Sequence, residues 1–168
     1  APEACPVVRL PARPEPQAFR DGLARLASGV AVAACWGPAG PQGRLGSART
    51  GRATEPPRML FCVRKAAAAH PALLRADEIG LSILSAAHRE DADRFSASTR
   101  ADERFGAGWR LDPHTPPLFE DALVRIRGEV RSRIDAGSHT VFVLDVRQAA
   151  SRPGPPLVYF ERDFSSLS

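Results

Sequence analysis

At 168 residues, 43% of them hydrophobic, the chain is long enough for one domain with a substantial core and too long to need metal or disulfide staples. Its net charge of +4 is an arginine charge, because Lys65 is the only lysine among 23 basic residues, and no Lys/Arg block, zinc spacing or aromatic-spaced basic stripe points to nucleic acid. No stretch is apolar for long enough to span a membrane, the start APEACPVV lacks the flanks of a signal peptide, and Cys5, Cys35 and Cys62 are too irregular for a disulfide framework; a cytoplasmic protein with reduced thiols is expected.

Residues 1–16, with Pro2, Pro6, Pro11, Pro14 and Pro16, read as an extended arm, and residues 17–168 as the folded domain. Phe19, Leu23 and Leu26 recur at helical spacing until Ser28-Gly29 stops the helix. Val30 to Trp36 is an apolar strand. Gly37, Pro38, Gly40, Pro41 and Gly43 then read as a hairpin loop with neither GxGxxG nor Walker spacing.

Pro56 and Pro57 turn the chain before Met59 to Val63, a strand apolar on both faces and therefore buried. Arg64 and Lys65 follow, and Ala66 to Ala69 begin a helical stretch that runs through His70 to Leu74. Cations beside a helix start favour an anion, and a solvated strand end accounts for the same two residues.

Ile79 to Leu84 is a further strand, and Glu90 to Phe95 a helix that Ser85 can cap. Arg100 to Pro117 is polar and glycine-containing, which suggests an excursion over the surface. In Ala122 to Ile134 and Thr140 to Ala149, apolar residues such as Val124, Ile126 and Val130 alternate with arginines, so one face of that sheet is wet. Asp135 to Ser138 is the tight turn between them, and Leu157 to Phe160 is the closing strand after Pro155-Pro156. About six antiparallel strands with few helices argue a mainly β fold, a closed barrel with small helices packed outside. The four histidines, His70, His88, His114 and His139, are too scattered to clamp a metal, and no GxSxG elbow is present.

The order FRDGLARLASGVAVA, EPPRMLFCV, HPALL, IGLSILSA, DRF, PLFEDALVRIRGEV, DAGSHTVFVLDV and PPLVYF resembles the flavin reductase family, the short-chain type built on the FMN-binding split barrel. The likeness extends over about residues 17–164. It implies a homodimer with flavin at the subunit interface, reduction of FMN or FAD by NADH or NADPH, and delivery of reduced flavin to a partner monooxygenase, often in secondary metabolism.

The resemblance also implies site residues. Gly46 to Gly51 falls where the family holds the flavin ring and phosphate, with Ser47 and Thr50 keeping hydroxyls and Arg49 in place of an aromatic. Ala66 to Ala69 stand where hydroxyls usually meet the flavin phosphate, while Arg64, Lys65 and the retained His70 flank them. Hydrogen bonds to charged groups are worth roughly 1.5–3 kcal/mol each, so two lost hydroxyls would cost about 3–6 kcal/mol unless cations replace them. His139, in Gly137-Ser138-His139, takes the position expected near the nicotinamide, and Phe164 the position to cover the ring. A second reading is a split barrel that has shed its flavin, acting as a binding protein or as a biosynthetic isomerase or cyclase with His139 as acid or base and Arg49, Glu55 and Arg125 orienting the substrate.

Overall fold

The computed structural model describes residues 13–46 and 48–167, the side chains of 48–54 excepted. Most of the arm expected over residues 1–16, and Ser47, lie outside the described residues. In chain order the elements are α1 (Pro16–Ala24), β1 (Ser28–Gly29), β2 (Ala31–Gly37), β3 (Gly40–Gly46), β4 (Ala48–Thr54), β5 (Pro57–Arg64), α2 (His70–Arg75), β6 (Glu78–Ile83), α3 (Arg89–Ser96), β7 (Trp109–Arg110), β8 (Leu118–Phe119), β9 (Val124–Ala136), β10 (His139–Ser151), β11 (Leu157–Phe160) and β12 (Asp163–Ser166). Glu15 starts α1 by accepting the Ala18 amide at 2.7 Å and the Gln17 amide at 3.1 Å.

The main sheet runs β3-β2-β6-β9-β10-β5-β4, with every pairing antiparallel. Its two edges, β3 and β4, are consecutive in the chain, so the sheet curls until β3 meets β5; a Cβ added at Gly46 would stand 3.2 Å from the Cys62 carbonyl oxygen. Bulges help it curl: the β9–β10 register shifts between Val143 and Leu144 and again between Val146 and Gln148. Inside lie Cys35, Phe61, Leu73, Ile79, Leu81, Ile126, Phe142 and Leu144, with the Phe61 and Phe142 rings stacked at 4.9 Å.

A second core lies between the barrel and the small sheet β1-β11-β12, around Val32, Leu84, Phe95 and Leu157. Four aromatic rings, Phe95, Phe105, Trp109 and Phe119, join it at centroid distances of 4.8–5.4 Å. Phe105 adopts φ of +58°, a left-handed conformation costing about 1–2 kcal/mol that its contacts with Phe95 and Trp109 offset.

Four sequence expectations are corrected. Gly40, Pro41 and Gly43 belong to β3 rather than to a loop, since backbone pairing with β2 runs through all of them. Ala66 to Ala69 form tight turns, and the helix begins only at His70. Arg100 to Pro117 is no simple surface excursion, because Phe105 and Trp109 pack into the second core and the Trp36 indole donates to the Asp112 and Thr115 carbonyls at 3.0 and 2.8 Å. Ser28-Gly29 follows the helix end as a short strand paired with β11.

His88 is buried in the second core, where its Nδ1 accepts the Ser85 amide at 3.1 Å and its ring meets Phe119 edge-on at 4.8 Å. Burial lowers its pKa below the ordinary 6.5; Asp91 and Asp121 oppose that shift and Arg152 reinforces it. The unfolded chain therefore takes up this proton more readily than the folded one, and stability falls as pH drops below about 6.5. Thermal unfolding followed from about pH 7.5 to 5 should give a falling midpoint below pH 6.5, with a shallower fall for His88→Gln.

Candidate functional site

Two adjoining cavities flank β3. The larger, about 550 Å³, has Ser28, Gly29, Val30, Leu45 and Gly46 on one side and Tyr159 and Phe164 on the other. The smaller, about 340 Å³, lies over the Ala66–Ala69 turns and is lined by Arg44, Arg64, Arg104, Ser96 and Ser98. Arg44 and Ser96 belong to both, so the aromatic cavity continues into the cationic one. Each volume falls in the range of roughly 300–1,000 Å³ usual for small-molecule sites.

The aromatic wall is held firmly. Phe164 meets Tyr159 edge-on at 5.5 Å, and the Arg89 guanidinium lies 5.9 Å from the Phe164 ring centroid. Arg89 also binds Asp163 at 2.7 Å and the Phe164 carbonyl at 3.2 Å, which locks β12 against α3. The hairpin tip between β11 and β12 carries Glu161 and Arg162 at φ of +51° and +66°. It is pinned to α1 through Arg25–Glu161 at 3.0 Å and Arg162–Asp21 at 2.6 Å.

The cationic cavity owes its charge to three separate segments. Arg64 leaves the end of β5; Arg44 projects from β3 and donates to the Ser96 carbonyl at 3.0 Å; Arg104 is fixed by donating to the Arg94 and Ala97 carbonyls at 2.8 Å each. Carbonyls hold Arg44 and Arg104 without neutralising them, and no carboxylate lines the cavity among the described residues. Burial, followed by the charge of Arg44, lowers the pKa of Arg104. Below them, Ala67 donates to the Arg64 carbonyl at 3.0 Å and His70 to the Ala67 carbonyl at 2.9 Å, while the amides of Ala66, Ala68 and Ala69 donate to no protein acceptor among the described residues. The donor set is guanidinium, hydroxyl and amide, which suits a phosphate.

Other expected residues are distributed around this groove. Lys65 turns away from the cavity to Asp135 at 2.7 Å, holding that carboxyl below its usual pKa, and its amide donates to the Ser138 carbonyl at 2.9 Å. His70 is buried against the barrel core with Nε2 2.8 Å from Thr140 Oγ1, so it supports the turns from behind. His139 pairs in register with Arg64 and has Nδ1 2.8 Å from Ser138 Oγ; it stands at the cationic end and does not line the aromatic cavity. Arg49 and Thr50 pair with Leu60 and Met59 along β4, but their side chains, like all of Ser47, lie outside the described residues.

Arg44, Arg104, Ser96, Ser98 and Tyr159 were not singled out from the sequence. Arg44 sits in a segment that reads as a glycine loop and Arg104 in one that reads as surface, and only the fold joins them to Arg64. Among the described residues no group of His, Cys, Asp or Glu could hold a metal ion. Burial pushes the Cys35 thiol up to about 11, so it is not a nucleophile near neutral pH.

Comparison with known proteins places this geometry in context. Residues 23–168 match the family model of the flavin reductase-like domain. The chain is 36% identical over 152 residues to FMN reductase (NADH) RutF of Methylorubrum extorquens strain DSM 6343, covering 89% of this chain and 74% of that protein. It is 30% identical over 166 residues to FMN reductase (NADH) RutF 2 of Rhizobium rhizogenes strain K84, covering 95% and 96%. Among solved structures it resembles a flavin reductase domain protein of Arthrobacter sp. FB24, with TM-score 0.83, 25% identity and coverage of 92% and 96%. It also resembles BorF, the flavin reductase component of a bacterial two-component tryptophan halogenase, with TM-score 0.81, 27% identity and coverage of 91% and 98%.

The two basic neighbours at the end of β5 should separate in a binding assay. By calorimetric titration, Arg64→Met should weaken FMN binding about tenfold or more, the loss of one charge-assisted contact, whereas Lys65→Met should change it less than about threefold.

Proposed function

The chain belongs to the flavin reductase-like domain family, and on that premise we propose that it uses NADH to reduce FMN, with the flavin ring in the aromatic cavity and its phosphate in the cationic one. The observation that carries this reading is the continuity of the two cavities through Arg44 and Ser96. A flavin mononucleotide has this same division, a flat apolar ring joined by a short polyol to a dianion. The donor set over Ala66–Ala69 answers the hydroxyls missing there. The names of the relatives, FMN reductase (NADH), support the same reductant and acceptor.

Bound flavin supplies the redox chemistry, accepting a hydride from reduced nicotinamide, and needs no protein acid or base at the reacting carbon. The work of this chain is placement. Tyr159 and Phe164 offer ring faces and Gly29 and Gly46 leave backbone close to the cavity, while Arg64 and the turn amides hold the phosphate end. His139, its Nδ1 engaged by Ser138, keeps Nε2 for the pyridine nucleotide. A cytoplasmic location, where NADH is available, fits this reading; among the described residues no helix is long and apolar enough to cross a membrane.

Two assembly partners fit. A second copy of this chain would cover α1 and the turn after it, where Phe19, Leu23 and Leu26 are 56%, 51% and 47% exposed at helical spacing. A flavin-dependent monooxygenase would take up the reduced product, a division of labour of the kind that BorF, the reductase component of a two-component tryptophan halogenase, shows with a different partner.

Purified protein should oxidise NADH only when FMN is added, and failure of that assay across flavins would reject the assignment. His139→Ala should raise the KM for NADH about tenfold while leaving the FMN dissociation constant within about threefold; a parallel loss of FMN affinity would place His139 at the flavin instead. Light scattering should give a dimer, and Leu23→Asp should shift it toward monomer.

A further inference from the structure

We propose that Arg44 is a phosphate-recognition residue for the flavin, doing from β3 what hydroxyl side chains cannot do from Ala66–Ala69. The proposal rests on the flavin reading above and names a determinant within that site. Arg44 stands where the two cavities join, so a ligand with its ring in one and its phosphate in the other must pass this guanidinium. One N–H is tied to the Ser96 carbonyl at 3.0 Å, which fixes the group in place and leaves its other donors for a ligand.

Like Arg64 and Arg104, Arg44 makes no ion pair among the described residues, and the carboxylates that share a cavity with it, Asp93 and Asp163, line the aromatic cavity and not the cationic one. By contrast, Arg89 has Asp163, Arg94 has Asp91, Arg100 has Glu90 and Glu103, and Arg162 has Asp21. Arg104, held by carbonyls, feels the repulsion of Arg44. Like charges fixed side by side around a cavity raise the free energy of the empty site, and a dianion placed among them removes that repulsion while accepting their hydrogen bonds. A phosphate monoester is such an anion, and riboflavin, which ends in a hydroxyl, is not.

Titration calorimetry of wild type and Arg44→Gln with FMN and with riboflavin tests this. Losing one charge-assisted contact should weaken FMN binding about 10- to 100-fold and riboflavin binding less than about threefold, the retained riboflavin affinity certifying the fold. Arg44→Lys should fall between the two for FMN, because an ammonium keeps the charge without the fork. Equal weakening of both flavins, or unchanged FMN affinity, would overturn the proposal. Inorganic phosphate in a thermal-shift assay separates this idea from the reading it rests on. Millimolar phosphate should raise the unfolding midpoint of wild type and not of Arg44→Gln, and an equal rise in both would overturn the role of Arg44. Wild type that binds neither flavin would overturn the reductase reading itself.

Discussion

The fold depends on a closure constraint: the two edge strands of the main sheet are consecutive in the chain, with residue 47 alone between them. A seven-stranded sheet with that connection cannot stay open, because its outer strands must come together where the chain steps from one to the other. Bringing the two edges together encloses an apolar interior without a backbone ladder between them among the described residues. It also leaves a seam beside β3, where Arg44, Gly46, Phe61 and Val63 approach one another. The groove lies along this seam, so the element that closes the barrel also forms the wall of the site.

The remaining parts of the groove are braced from outside the barrel. Phe164 is fixed through Arg89 and Asp163 on one side and Tyr159 on the other, and the hairpin tip is tied to α1. Arg104 is held by the carbonyls of Arg94 within α3 and of Ala97 just after it, and His70 supports the alanine turns through Thr140. A preorganised cleft of this kind suits a reaction whose chemistry belongs to the ligand, because what the protein contributes is relative position.

The strands with a clear pattern were legible in the sequence. The alternation through Val124, Ile126 and Val130 and the turn at Asp135–Ser138 gave the long hairpin, whose strands pair as far as Ala136 and His139. β3 was illegible because its glycines have poor strand propensity in isolation. They are needed by the fold: a Cβ at Gly43 would lie 2.8 Å from the Phe105 ring and 2.9 Å from the Phe95 ring. The alanines of 66–69 pointed to helix by propensity, but the turn anchored by Ala67 on Arg64 overrode it. Within the site, Arg64 was visible as a cation leaving a strand, while Arg44 and Arg104 were not, since their proximity depends on how β3 and the post-α3 turn pack.

A pocket lined by guanidinium groups has one property that an imidazole- or lysine-lined pocket lacks. Arginine does not deprotonate in any range where the protein is folded, so the lining offers constant charge from acidic to alkaline conditions. The proton able to loosen a bound phosphate monoester is then the ligand's own, gained near its second ionisation at about pH 6. Retention of nucleotide along this seam would therefore follow the acidity of the guest, with the host acting as a fixed electrode.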